Sequence, residues 1–156
     1  MNDKTIAMIN YTRQQMLSTL DGLTPEQINK TPQGFNNNLI WNLAHCVGVL
    51  QKYIYRKGAE LPVGIDEAII TEYDGGTFPK NFVNQDEIDN IKKLAFSTLE
   101  TLSKDIANGN FKNFNIPEVT ANKISLETID DGLAFMLYHE GTHLGTMKAI
   151  RTAVAA

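Results

Sequence analysis

The chain contains three histidines, and their placement could do chemistry. Two of them, His139 and His143, stand four residues apart in Tyr138-His139-Glu140-Gly141-Thr142-His143-Leu144-Gly145. On a helix this separation is about one turn along one face, so both imidazoles can aim at a single atom. A metal ion is the natural candidate for that atom. The third, His45, closes another strongly helical stretch, Asn38-Leu39-Ile40-Trp41-Asn42-Leu43-Ala44-His45. If the helices pack so that His45 faces the pair, three neutral nitrogen donors meet and a fourth position stays open. That is the ligand count of a catalytic rather than a structural site. The H-x-x-x-H spacing also recurs by accident, and buried histidines bonded to backbone, Asp or Glu would satisfy it. The inward placement of all three, argued below, favours the metal.

Read literally, His139 to His143 is H-E-x-x-H, the zinc-protease helix whose glutamate is a general base. The elongated form of that motif would need a histidine where Ala149 stands, and no sheet precedes the helix to hold an extended peptide. The match is therefore read as coincidental. Glu140 is still a candidate catalytic residue, because it lies about 60° from His143 around the helix and could reach water on the metal. A solvated glutamate is the plain alternative.

Four long helices must position these residues. The first, Asp3 to Leu20, carries Ile6, Ile9, Met16 and Leu20 on one face, interrupted by Arg13. Thr24-Pro25-Glu26-Gln27 then signals a short helical turn. An asparagine of Asn36-Asn37-Asn38 caps the second long helix, which runs to about Lys57 and is stopped by Gly58. It has two stripes: Ile40, Leu43, Val47, Leu50 and Ile54 form one, and Trp41, His45, Gly48, Lys52 and Tyr55 form the other, the less apolar of the two. It should therefore be a heavily buried, central helix. Gly48, one turn after His45, lets a backbone or ligand come close. From Ala59 to Asn84 the periodicity disappears, and a connection of that length crosses a bundle or covers a site. Asn84 with Glu87 caps a third helix marked by Ile88, Ile91, Ala95, Leu99, Leu102 and Ile106 and ended by Gly109. A second irregular link, Phe111 to Asn122, should lay Phe111 and Phe114 on the core. Ser125 can cap the last helix, carried to about Ala153. There Ile129, Gly132, Met136, His139, His143, Met147 and Ile150 form the inward stripe. Histidines in a buried stripe lose hydration and require partners.

These elements give an all-α fold: one domain over residues 1–156, a four-helix bundle with a long crossover loop between the second and third helices. Apolar residues make up 42 % and charged residues 21 % of the 156, ordinary values that bound the chain to a single core. No apolar run reaches the roughly 18 residues of a membrane span, and Met1-Asn2-Asp3-Lys4 does not begin a signal peptide. A cytoplasmic location is expected, and the single cysteine, Cys46, suits a reducing compartment. The net charge of −4, without a basic cluster, disfavours nucleic acid.

The asparagine-rich approach to Asn38-Leu39-Ile40-Trp41-Asn42-Leu43-Ala44-His45 resembles the N-x-x-W-x-x-x-H signature of the DinB-like (DinB/YfiT) superfamily. His139 and His143, with small residues behind them, resemble that family's paired histidines on the last helix. Order, spacing and chain length agree over nearly the whole chain. The resemblance implies a four-helix bundle, His45, His139 and His143 as ligands of a divalent metal such as zinc or nickel, and a homodimer. Known relatives include thiol S-transferases using bacillithiol, glutathione or mycothiol, and mycothiol-dependent maleylpyruvate isomerases. The expectation is a metal-dependent enzyme acting on a small molecule, with a low-molecular-weight thiol as cosubstrate. An open metal position would favour the thiolate, which attacks an electrophile under the long loop. Trp41 could wall that pocket or simply pack in the core, and Tyr138, Lys52 and Arg56 are candidate substrate contacts. Cys46 reads as a core residue. The alternatives are metal-assisted hydrolysis, with Glu140 or a loop carboxylate such as Asp74 activating water, and a bundle that binds a metal or ligand without turnover.

Overall fold

The computed structural model describes residues 2–119 and 123–155. It is all-helical, and among the described residues the only β pairing is an isolated antiparallel bridge between Ile116 and Leu126. The long helices are α1 (Asn2–Ser18), α3 (Leu39–Leu50), α5 (Gln85–Ala107) and α6 (Ile129–Ala155), with the short α2 (Pro25–Asn29) between the first two and α4 (Glu67–Glu72) before α5. Each long helix packs on two others, α1 and α3 both lying against α5 and α6. This ring of contacts surrounds the core, and α3 is its most enclosed member. All twelve residues of α3 are buried, as expected for a central helix with two inward stripes.

Local chemistry fixes where most helices begin. Thr24 and Gln27 form a capping box at α2, and Asn84 and Glu87 form one at α5. Asn38 caps α3 by accepting from the Trp41 N–H at 2.9 Å. The start of α6 differs from the sequence expectation. Ser125 is not the cap, because Leu126 is held extended by two hydrogen bonds with Ile116, at 2.8 and 2.9 Å. Thr128 takes that part three residues later. Its hydroxyl accepts from Asp131 N–H at 3.2 Å, while the Asp131 carboxylate accepts from Thr128 N–H at 2.9 Å.

Two further departures concern the elements around α3. The second long helix does reach Gly58, but Gln51–Gly58 is wound as a wider π-helix. Gly58 ends it beside Phe114: a Cβ there would lie 2.1 Å from Phe114 Cε2. The same ring presses on Gly132 of α6, where a Cβ would come within 2.7 Å of Phe114 Cζ. Phe111 and Phe114 are both buried, so the link after α5 does pack onto the core. The connection from Ala59 to Asn84 is not wholly irregular either, since Asp66 caps the short α4 within it. α4 lies on Gly48, whose missing side chain admits the backbone of Ile69 and Ile70. The close approach foreseen at Gly48 is therefore made by the loop.

Candidate metal centre

The packing of α3 on α6 brings the three histidines together. Their ring centroids are 4.7 Å apart for His45 and His143, 5.1 Å for His45 and His139, and 4.6 Å for His139 and His143. One nitrogen from each lies within 4.8 Å of the others, a cluster able to hold a metal ion. Between His45 and His139 the two Nε2 atoms stand 3.2 Å apart. Two nitrogens bound about 2.0–2.1 Å from one tetrahedral ion would be separated by about 3.3 Å, so that pair is already at chelating distance.

Hydrogen bonds outside the cluster choose which nitrogen faces inward. His45 Nδ1 lies 2.6 Å from the backbone oxygen of Tyr73. A carbonyl can only accept, so this nitrogen carries the proton and Nε2 keeps its lone pair for the site. His143 Nδ1 lies 2.8 Å from Asn42 Oδ1. The amide of Asn42 is oriented by its own donations from Nδ2 to Asn38 O at 2.7 Å and Asn37 Oδ1 at 2.8 Å. Its oxygen must therefore accept from His143, which again leaves Nε2 free. Outer partners of this kind fix the tautomer of metal-binding histidines. His139 Nδ1 is buried and has no hydrogen-bond partner among the described residues. If its Nε2 is also unprotonated, two lone pairs face each other at 3.2 Å, an arrangement a shared cation relieves. The donor set therefore fits a divalent metal.

Electrostatics keep these rings neutral. Burial pushes His139 down to about 3, with His143 and His45 adding to the shift. Burial, reinforced by His45, pushes His143 down to about 4. His45 is lowered by burial as well, the Tyr73 carbonyl and Asp74 opposing that shift and Lys52 adding to it. A histidine must be neutral to ligate, so near pH 7 these sites need lose no proton first.

The long loop packs against the His45 side of the cluster. The indole of Trp41 stacks on His45 at 4.7 Å with the planes 10° apart, and its Nε1–H donates to Thr77 Oγ1 at 3.1 Å. Tyr73, Asp74 and Thr77 of the loop thus touch His45, Lys52 and Trp41 on one side of α3. Trp41 is both buried and part of the site. It also borders a cavity of about 230 Å³ between α3 and the loop, lined by Tyr73, Thr77 and Phe78 among others. None of the three histidines lines this cavity.

The remaining candidates are placed as follows. Glu140 is not a solvated glutamate, for its side chain is 0 % exposed. Both carboxylate oxygens accept from Arg13, with distances of 2.6 to 3.1 Å. Burial pushes the Glu140 carboxyl up and the guanidinium opposes it. Asp74 accepts from Lys52 Nζ at 2.6 Å and from Gly75 N–H at 2.8 Å. Its partial burial raises it, but these donors and the Lys52 charge outweigh that and leave it lowered. Arg56 pairs with Glu67 of α4, its Nη1 donating at 3.0 Å. Tyr138 is 74 % exposed on α6. Cys46 is fully buried in the core, and burial together with the Glu140 charge pushes its thiol well up, so it is no nucleophile.

The DinB superfamily model matches residues 8–147, nine-tenths of the chain. The chain belongs to the DinB superfamily. No curated protein matches it. The DinB match contains all three histidines, and it also contains two residues whose part in the site was not read from the sequence, Asn42 and Arg13. Asn42 carried a signal, being a polar residue inside an otherwise apolar stretch of helix and three residues from His45. Arg13 carried none that pointed to Glu140, which is 127 positions away.

Proposed function

We propose that this protein is a metal-dependent enzyme in which His45, His139 and His143 hold a divalent ion, zinc or nickel, with one position left for a small molecule. The reaction favoured is transfer of a low-molecular-weight thiol to an electrophile. The supporting observation is the composition of the cluster: among the described residues no carboxylate or thiol joins the three histidines. When bound, a divalent cation supplies Lewis acidity that lowers the pKa of whatever occupies the free position.

The choice of thiol over water rests on the neighbouring carboxylates. Free water is far less acidic than a thiol, so metal-assisted hydrolysis gains more from a base beside the attacking water. The two carboxylates that could serve are occupied, Glu140 by Arg13 and Asp74 by Lys52. A thiol needs no such base once its sulfur is held as the thiolate. In this reading Glu140 serves the site through Arg13 rather than by taking a proton. Trp41 and Tyr73 orient His45, and both also line the neighbouring cavity. A homodimer is proposed on the family resemblance alone, and a cytoplasmic location on the lone cysteine, Cys46.

The test combines metal analysis with turnover. Wild-type protein should take up stoichiometric zinc or nickel, and His45→Ala and His143→Ala should lose it. With the metal present, a panel of small thiols and a generic electrophile should show thiol consumption that disappears in both variants. Equal metal content in wild type and variants would overturn the site. Metal-dependent ester cleavage without a thiol would overturn the transferase reading alone.

A further inference from the structure

The Arg13 guanidinium is the point at which all four long helices meet. Besides the two oxygens of Glu140 on α6, it donates from Nη1 to Ala95 O at 2.7 Å and Thr98 Oγ1 at 3.0 Å, both on α5. From Nη2 it donates to Cys46 O on α3 at 3.4 Å. Thr98 is itself fixed, its hydroxyl donating to Leu94 O at 2.7 Å. Arg13 and Glu140 are both 0 % exposed. Each helix that carries a ligand is thus held beside that ligand: Glu140 follows His139, and Cys46 follows His45.

We propose that the Arg13–Glu140 pair is a positioning device for the histidine cluster, setting the rotation of α3 and α6 about their axes so that the three imidazoles converge. The inference rests on the metal reading of the site. Energy does not explain the pair, since well-packed apolar residues in place of a buried ion pair are often neutral or stabilising. Direction does. Apolar contacts are roughly proportional to area and indifferent to angle, whereas a guanidinium fork has fixed geometry. Ligand sets must be held to within about 0.5 Å, a tolerance that a rotated helix would exceed. Arg13 and Glu140 do not touch the ion or the substrate in this account. They act through the backbones on which His45 and His139 are mounted.

The experiment replaces the pair by apolar residues of similar size, Arg13→Met with Glu140→Leu, in the full chain. Cobalt(II) serves as the probe, read by its visible absorption and by titration. The double variant is expected to keep the wild-type circular dichroism and melting temperature closely. Its cobalt affinity should fall about 10–100-fold, as far as loss of a ligand's direct hydrogen-bond partner would take it, and its spectrum should depart from the wild-type one. A folded double variant with wild-type affinity and spectrum overturns the proposal, and so does one that cannot fold, since the pair would then carry the fold itself. Glu140→Gln, which keeps the shape and removes the charge, adds a readout without metal. Nitrogen NMR of the three imidazoles should show mixed tautomers at His45 and His143 where wild type shows Nδ1–H, and unchanged tautomers would count against the proposal. Wild-type protein that binds no cobalt would instead sink the metal reading beneath it.

Discussion

His143 donates its Nδ1–H to Asn42 Oδ1 across the α3–α6 contact, at 2.8 Å, and Asn42 is itself wholly buried. The amide spends its two N–H groups on Asn38 O and Asn37 Oδ1, so its oxygen has one available orientation. A chain of hydrogen bonds therefore runs from the asparagine-rich approach through α3 to His143 on α6. Asn42→Leu, nearly the same shape, removes the acceptor and frees the ring to change tautomer. Metal affinity, read by competition with a chromophoric chelator, should drop about 10–100-fold. An unchanged affinity would mean that the tautomer is set elsewhere.

A second expectation concerns the wedge behind the site. Phe114 fills the space that side chains at Gly58 and Gly132 would need. Gly58→Ala places a methyl 2.1 Å from the ring, too close for any small adjustment. Overpacking of this kind costs about 1–3 kcal/mol, to be read as a lower urea midpoint. Adding Phe114→Leu should recover part of the loss relative to Gly58→Ala alone.

Acid should destabilise the metal-free protein in a defined window. Unfolded histidines titrate near 6.5, whereas in the fold His139 is pushed down to about 3 and His143 to about 4. Below 6.5 the unfolded chain binds protons that the folded chain refuses, so stability is fully present above 6.5 and falls as pH drops. The loss from these two groups should level off between about 4 and 3, once the folded rings also protonate. Denaturant midpoints from pH 8 to 3 provide the check. His139→Gln with His143→Gln should flatten that part of the profile, and a profile unchanged by the pair would contradict it.

The legible and illegible features separate by how local their causes are. The boxes at Thr24–Gln27 and Asn84–Glu87 each span four residues, and both form as the sequence indicates. The two stripes of α3 require burial on every side, which is what occurs. The histidines could be read because a 3.6-residue period places them inward before any tertiary contact is known. Arg13 could not be read that way. On the helix it is a charge interrupting an apolar face, and only partners supplied by other helices, Glu140 and the Ala95 carbonyl among them, turn it into an interior residue. The pairing of Glu140 is hidden for the same reason: the sequence offers it as a catalytic candidate or a solvated glutamate, and Arg13, which makes it neither solvated nor free, comes from another helix. Ser125 lost the cap of α6 to Thr128 because pairing between Leu126 and Ile116 holds the intervening chain extended. The width of Gln51–Gly58 and the short α4 also lie beyond a reading by period.

The central claim is that three imidazoles from two helices share one cation and leave a place beside it. X-ray absorption on the zinc-loaded protein tests it most directly. The account predicts three imidazole nitrogens at about 2.0–2.1 Å with a fourth light atom from solvent, which a small thiol replaces by sulfur at about 2.3 Å. One imidazole only, or a closed shell of protein ligands that no thiol enters, would contradict it.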